Sequence, residues 1–164
     1  MDFDDAIAAH VGWKAKLRSY INHADKSLDA SVIEKDNLCS LGKWIYSEGL
    51  KYKSSQHYTE LVSEHAKFHK CAALIVRHID AGKKKEAEEM IGANSEYSEI
   101  SMEVVTKIRK LRSEIEKEIT IGIFVFSLTC IPYLFILKEF KDYLDFYNEI
   151  FNTLIFFLNK SCSR

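Results

Sequence analysis

The scarcity of helix-breaking residues is the feature that most constrains how this chain can fold. Its 164 residues include six glycines and one proline, which stands at position 132. Proline interrupts a helix and glycine weakens it, so their rarity favours long helices. Apolar residues recur at steps of three and four along 3–28, 55–81 and 84–118, as in helices with one buried face. The expected fold is therefore all-α.

A short apolar stretch between the first two of these helices supplies a fourth element. It covers residues 38–46 and carries Cys39 and Gly42. A glycine allows another segment to approach closely, and Asp36 or Asn37 is placed to cap a helix that begins here. We therefore predict an antiparallel four-helix-type bundle made of three long helices and one short, cysteine-bearing helix.

A sharp change in composition at residue 119 divides the chain into a predicted bundle, 1–118, and a predicted hydrophobic helical tail, 119–164. Residues 119–137 carry no charged side chain, and about 20 apolar residues suffice to cross a bilayer. Two interpretations of this stretch stay open. It is either a membrane-spanning helix or an apolar helix that packs on the bundle or in an oligomer interface.

Charge and cysteine content narrow the class of protein. Lys and Arg total 23 against 24 Asp and Glu, a formal net charge of −1, so nothing favours a nucleic-acid partner. The acidic N-terminus lacks the basic and apolar regions of a signal peptide. Four widely spaced cysteines are typical of a reducing compartment. We expect a cytoplasmic protein, associated with the membrane only if the tail is inserted.

Two histidines four residues apart, His65 and His69, are the strongest chemical signal. On a helix they lie on one face, one turn apart, where both imidazoles can bind one metal ion. Taken alone, each histidine is as readily explained as a core residue. His10 and Cys39 lie on other predicted helices, and three imidazoles with one thiolate complete a tetrahedral set for Zn²⁺.

Other metal chemistries fit these residues poorly. A zinc protease motif needs Glu directly after the first histidine of the pair, and Ala66 stands there. Carboxylate-bridged di-iron bundles need Glu three residues before histidine, and those positions hold Ile7, Val62 and Ala66. Four protein ligands leave no coordination position for a substrate. We therefore expect a protein that is not an enzyme.

Three blocks of residues, taken together and in this order, resemble the chemoreceptor zinc-binding domain family of bacteria. They are His10-x-x-Trp13-Lys14-x-x-Leu17, Cys39-x-Leu41-Gly42-Lys43-Trp44 and His65-x-x-Phe68-His69. The resemblance covers roughly residues 3–118. It implies a helical bundle with one zinc ion bound by three His and one Cys, which match His10, Cys39, His65 and His69. It also implies sensing of zinc or of oxidants such as hypochlorous acid, a protein partner in chemotaxis or cyclic-di-GMP signalling, and, for some members, homodimers.

The sequence leaves the output of such a sensor open. No receptor signalling hairpin and no cyclase domain accompany the bundle within these residues, so a stand-alone sensor, an output through the tail and a fragment are all compatible. We expect Cys39 to be the redox-sensitive ligand, because a zinc-bound thiolate can still be oxidised. The alternative function is a structural zinc site in a membrane-anchored adaptor or interaction protein.

Overall fold

The computed structural model describes residues 1–23, 27–124, 141 and 145. All regular structure in these residues is helical, as the all-α prediction requires. The chain divides into two compact units, Met1–Ile115 and Glu116–Arg164. The second unit is described over 116–124, which is helical, and at residues 141 and 145.

Three long helices and several short ones build the first unit. In chain order they are α1 (Phe3–His23), α2 (Ala30–Ile33), α3 (Ser40–Ile45), a 3-10 helix (Glu48–Tyr52), α4 (Gln56–Asp80), α5 (Lys84–Met90) and α6 (96–115). The long helix α4 contacts α1, α2 and α5. It contributes large buried residues along most of its length, because its apolar side chains follow the helical repeat.

The two helices that carry histidines, α1 and α4, run in the same direction. The His10 and His65 rings have centres 5.3 Å apart, and further along both helices the Tyr20 hydroxyl donates to Asp80 Oδ1 at 2.6 Å. In an up-down-up-down bundle the first and third elements run in the same direction, and α1 and α4 are the first and third of the four predicted elements. The connection between the helices is long enough to return the chain to its starting end, and its described part, 27–55, holds three short helices.

The helix α6 runs antiparallel to α1, as predicted. Lys14 Nζ donates to Ser98 Oγ at 3.2 Å, while Arg112 near the other end of α6 pairs with Asp4 at 2.7 Å. The contacts therefore pair late residues of one helix with early residues of the other.

The predicted third long helix, 84–118, is interrupted between α5 and α6. Gly92 follows the end of α5, and the Ser95 hydroxyl accepts a hydrogen bond from the Ser98 amide at 3.3 Å. Such a side chain caps a new helix start, while glycine lowers the stability of a continuous helix. Met90, Tyr97, Val104 and Leu111 follow one another at seven-residue steps across this region. Because the apolar spacing continues past the break, the sequence pattern did not reveal it.

The tail predicted from the sequence falls mostly outside the described residues. Over the residues that are described, no helix has both the length and the hydropathy needed to span a bilayer. The predicted tail, 119–164, includes 125–140, 142–144 and 146–164, which lie outside the described set. Both interpretations of 119–137 and the proposed domain boundary at residue 119 stay predictions.

Gly42 gives a direct test of the packing around the short helix. A Cβ atom added there would lie 1.7 Å from the carbonyl oxygen of Asp36, whereas one added at Gly12 would meet nothing within 4 Å. Gly42→Ala is expected to lower the free energy of unfolding by about 1–3 kcal/mol, because backbone must shift. Gly12→Ala, inside α1, is expected to raise it by about 0.5–1 kcal/mol.

Urea unfolding of the zinc-free variants, followed by circular dichroism, measures both changes. Equal stability of the two variants would contradict the close approach of Gly42 to Asp36.

Candidate metal centre

The structure brings the four predicted site residues together. His10 lies on α1, Cys39 directly precedes α3, and His65 and His69 lie on α4. One potential ligand atom from each lies within 4.8 Å of those of the other three. Zn–N bonds of about 2.1 Å and Zn–S bonds of about 2.3 Å put tetrahedral ligand atoms about 3.3–3.6 Å apart, so the cluster has nearly the size of such a site.

The helices explain this convergence. The four-residue step on α4 puts His65 and His69 one turn apart, with ring centres separated by 4.6 Å. The parallel course of α1 then brings His10 alongside both rings. All three histidines are buried, with 3% of His10, none of His65 and 3% of His69 exposed. Buried polar groups require partners, so what these rings contact decides the nature of the site.

Main-chain carbonyls hold two of the three imidazoles in one orientation. His10 Nδ1 donates to the Ala6 oxygen at 2.7 Å and His69 Nδ1 donates to the Ile33 oxygen at 2.6 Å. Since a carbonyl oxygen can only accept, each Nδ1 carries the proton and each Nε2 presents a lone pair. Both Nε2 atoms are buried and have no hydrogen-bond partner among the described residues. This is the arrangement of a metal-binding histidine.

The third imidazole faces the cysteine. His65 Nε2 lies 3.2 Å from Cys39 Sγ. Its other nitrogen, Nδ1, is buried and has no hydrogen-bond partner among the residues that the structure describes. The closest carboxylate oxygen described for it, Asp36 Oδ2, is 3.9 Å away. His65 therefore points one nitrogen into the cluster and the other towards an acidic side chain.

Cys39 has a second role as the N-cap of α3. Its backbone is extended, with φ −75° and ψ 165°, and its sulfur accepts a hydrogen bond from the Gly42 amide at 3.2 Å. The predicted caps, Asp36 and Asn37, do not fill this position, because α3 starts at Ser40 and a cap must directly precede the helix. The helix start thus fixes the sulfur beside the histidines.

Burial favours the uncharged form of every candidate ligand. It lowers the pKa of His10 and His69, and together with the neighbouring His69 and His10 rings it lowers the pKa of His65 to about 2. Burial also raises the pKa of the Cys39 thiol, against the opposing effect of the Gly42 amide. The imidazoles are therefore neutral at pH 7 and free to bind a metal, while the thiolate needs a cation beside it.

Aromatic side chains surround the cluster, in the packing role expected for them. Phe68 packs against His10 and His69, with ring centres 5.2 and 5.7 Å away. Trp13 lies behind it at 6.5 Å. Trp44 instead packs on Phe3 of α1 at 5.4 Å. Phe68 thus closes the site towards the core, and Trp44 ties α3 to α1.

The remaining cysteine and histidine side chains of the described residues stand apart from the cluster. Cys71 is half-buried, and burial raises its pKa to about 11. His78 Nδ1 hydrogen-bonds to the Leu74 oxygen, and His57 lies near Glu60. The sequence did not identify the carbonyls that orient His10 and His69, because every residue carries a carbonyl.

Comparison with known proteins gives one match. Residues 10–76 match the family model described as the chemoreceptor zinc-binding domain. The match begins at the first candidate ligand and includes the other three, and it is narrower than the stretch 3–118 over which the sequence blocks suggested a resemblance. No curated protein and no solved structure matches the chain.

The lowered histidine pKa values predict that the zinc-free protein loses stability as the pH falls. In the unfolded chain these imidazoles bind protons below pH about 6.5, whereas burial in the folded protein lowers the pKa of each and shifts proton binding to more acidic pH. The unfolded state then binds more protons, so the free energy of unfolding decreases towards acid. Each histidine contributes up to about 1.4 kcal/mol per pH unit.

Urea unfolding in the presence of a chelator between pH 7.5 and 5 measures this loss. His10→Gln, with one fewer buried imidazole, is expected to show a shallower dependence on pH. A stability that stays constant over this range would contradict the burial of neutral imidazoles.

Proposed function

Because residues 10–76 belong to the chemoreceptor zinc-binding domain family, we propose that this chain is a zinc-dependent sensor in bacterial signalling. His10, Cys39, His65 and His69 hold the ion. The observation that carries the proposal is the pair of buried Nε2 lone pairs on His10 and His69, which have no hydrogen-bond partner in the part of the chain that the structure describes. Bound zinc supplies the positive charge that keeps the Cys39 sulfur as a thiolate.

The four ligands differ in how firmly the fold holds them, and this supports a division of roles. His65 and His69 lie in the middle of the long helix α4, and His10 lies in α1. Cys39 precedes a helix of six residues and is partly exposed. Releasing a short segment disrupts fewer contacts than moving a long helix. The histidines form the fixed side of the site, and Cys39 is the ligand that moves.

Oxidation of Cys39 is the proposed trigger. Hypochlorous acid transfers chlorine to the thiolate sulfur and leaves hydroxide, and water then displaces chloride to give a sulfenic acid and a proton. The sulfur loses two electrons and the chlorine gains them. A sulfenic acid lacks the anionic sulfur that zinc prefers, so zinc is held by the histidines alone and more weakly. Cys39 is of intermediate exposure, whereas the three histidines are buried, which favours it as the ligand that meets the oxidant first.

The packing of α3 gives this change a route to the rest of the bundle. Trp44 lies in α3 and contacts Phe3 on α1 and Tyr52 in the 3-10 helix. Once Cys39 leaves the site, α3 loses a tie to α4, and the Trp44 contacts with α1 can rearrange. Such a two-state rearrangement would be recognised by a protein partner in a chemotaxis or cyclic-di-GMP pathway, or by a second copy of the chain.

Metal analysis tests the ligand set. The purified full chain is expected to contain about one zinc per molecule, and Cys39→Ala and His69→Ala are each expected to lose most of it, because three ligands remain. Cys71→Ala is the matched control and is expected to keep its zinc. Inductively coupled plasma mass spectrometry gives the stoichiometry. Full zinc occupancy in both ligand variants would overturn the proposed site.

Zinc release on oxidation separates a sensor from the alternative, a structural zinc site. Stoichiometric hypochlorous acid is expected to release zinc to a colorimetric chelator and to change tryptophan fluorescence, while circular dichroism shows the helices intact and a thiol reductant restores binding. Cys71→Ala is expected to respond in the same way. Loss of helical signal together with zinc would support the structural role instead.

A further inference from the structure

Asp36 lies beside His65, the candidate histidine ligand for which no orienting main-chain carbonyl is described. Its Oδ2 atom lies 3.9 Å from His65 Nδ1 and accepts a hydrogen bond from the Tyr46 hydroxyl at 2.7 Å. His65 is completely buried, and its Nδ1 has no hydrogen-bond partner within residues 1–23 and 27–124. A carboxylate fixed by a tyrosine therefore faces a buried nitrogen that needs an acceptor.

The other two histidines show what that nitrogen lacks. His10 and His69 each donate Nδ1–H to a carbonyl and turn Nε2 inward. His65 also turns Nε2 inward, towards Cys39 Sγ. With Nε2 on the metal side, the proton must lie on Nδ1. Asp36 is placed to accept a hydrogen bond from this Nδ1–H group after a movement of about 1 Å, since hydrogen bonds to a carboxylate are about 2.7–2.9 Å long.

Charge balance supports the same assignment. A zinc ion, one thiolate and three neutral imidazoles leave one uncompensated positive charge in a buried site. Such a charge is costly in a low-dielectric interior unless it is paired. The Asp36 carboxylate is 20% exposed and provides one negative charge next to His65. Among the described residues that flank the site, it is the acidic side chain recorded within 4 Å of a ligand nitrogen.

Asp36 is also attached to the movable side of the site. Its carbonyl oxygen accepts from Cys39 Sγ at 3.7 Å, and the absence of a side chain at Gly42 lets α3 lie directly against that carbonyl. Tyr46, which holds the carboxylate, is the C-cap of α3. A displacement of Cys39 with α3 therefore also displaces the carboxylate that faces His65.

We propose that Asp36 is a positioning residue that orients His65 for zinc and links this orientation to the Cys39 segment through Tyr46. This inference rests on the proposed zinc site. With zinc bound, the carboxylate would accept a hydrogen bond from the Nδ1–H group of His65, and its negative charge would balance that of the site. When the Cys39 segment leaves, His65 loses its acceptor, so loss of one ligand weakens a second.

Zinc affinity of full-length variants tests the proposal, measured by competition with a chromogenic chelator. Asp36→Ala is expected to bind zinc about 10- to 100-fold more weakly than the wild type. Asp36→Asn keeps an acceptor without the charge and is expected to lose part of that factor. Tyr46→Phe keeps the charge but frees the carboxylate, and a smaller loss is expected. Glu34→Gln, which removes a carboxylate paired with Arg77 on the surface nearby, is the matched control.

Histidine-labelled NMR of the zinc-loaded protein gives a readout that a merely structural role would not change. The Nδ1–H proton of His65 is expected to resonate far downfield in the wild type and in Glu34→Gln, and to move upfield in Asp36→Asn. Equal zinc affinity and an unchanged His65 signal in Asp36→Asn would overturn the proposal, even if Asp36→Ala failed to fold. A wild-type protein without zinc affinity would instead overturn the zinc site itself.

Discussion

The structure depends on the desolvation of three imidazoles around one point. His10, His65 and His69 are removed from water, and burial lowers the pKa of each. Their inward nitrogens have lone pairs but find no donor in the described protein, apart from the thiol that faces His65. Burying polar atoms in this way costs free energy that a bound cation recovers. The same buried imidazoles therefore belong both to the core and to the candidate metal site.

The parallel course of α1 and α4 brings the imidazole of His10 to those of His65 and His69. In an antiparallel pair, residues near the start of one helix meet residues near the end of the other. Here His10, near the start of α1, lies beside the middle of α4. The connection 27–55 returns the chain and passes the cluster, where Ile33 provides a carbonyl and Cys39 a sulfur. This connecting segment thus provides one of the four candidate ligands and one of the two orienting carbonyls.

The sequence predicted the helical class, the long helices α1 and α4, and the four residues that the structure brings into one cluster, because each depends on side-chain identity and spacing. It missed the break at Gly92, since the apolar repeat continues across it. It also assigned the cap of α3 to Asp36 or Asn37, although the sulfur of Cys39 fills that position. The two orienting carbonyls and the carboxylate near His65 depend on distant contacts, which spacing along the chain does not encode.

The dual role of the Cys39 sulfur has a consequence for helix formation itself. The first turn of a helix is the costly one to form, and a cap lowers that cost. In α3 the capping atom and the candidate metal ligand are the same sulfur. Chemistry at that atom therefore acts on the nucleation of a six-residue helix, which has few further turns to stabilise it. A change at the Cys39 sulfur can then form or disrupt the first turn of α3 while the long helices stay unchanged.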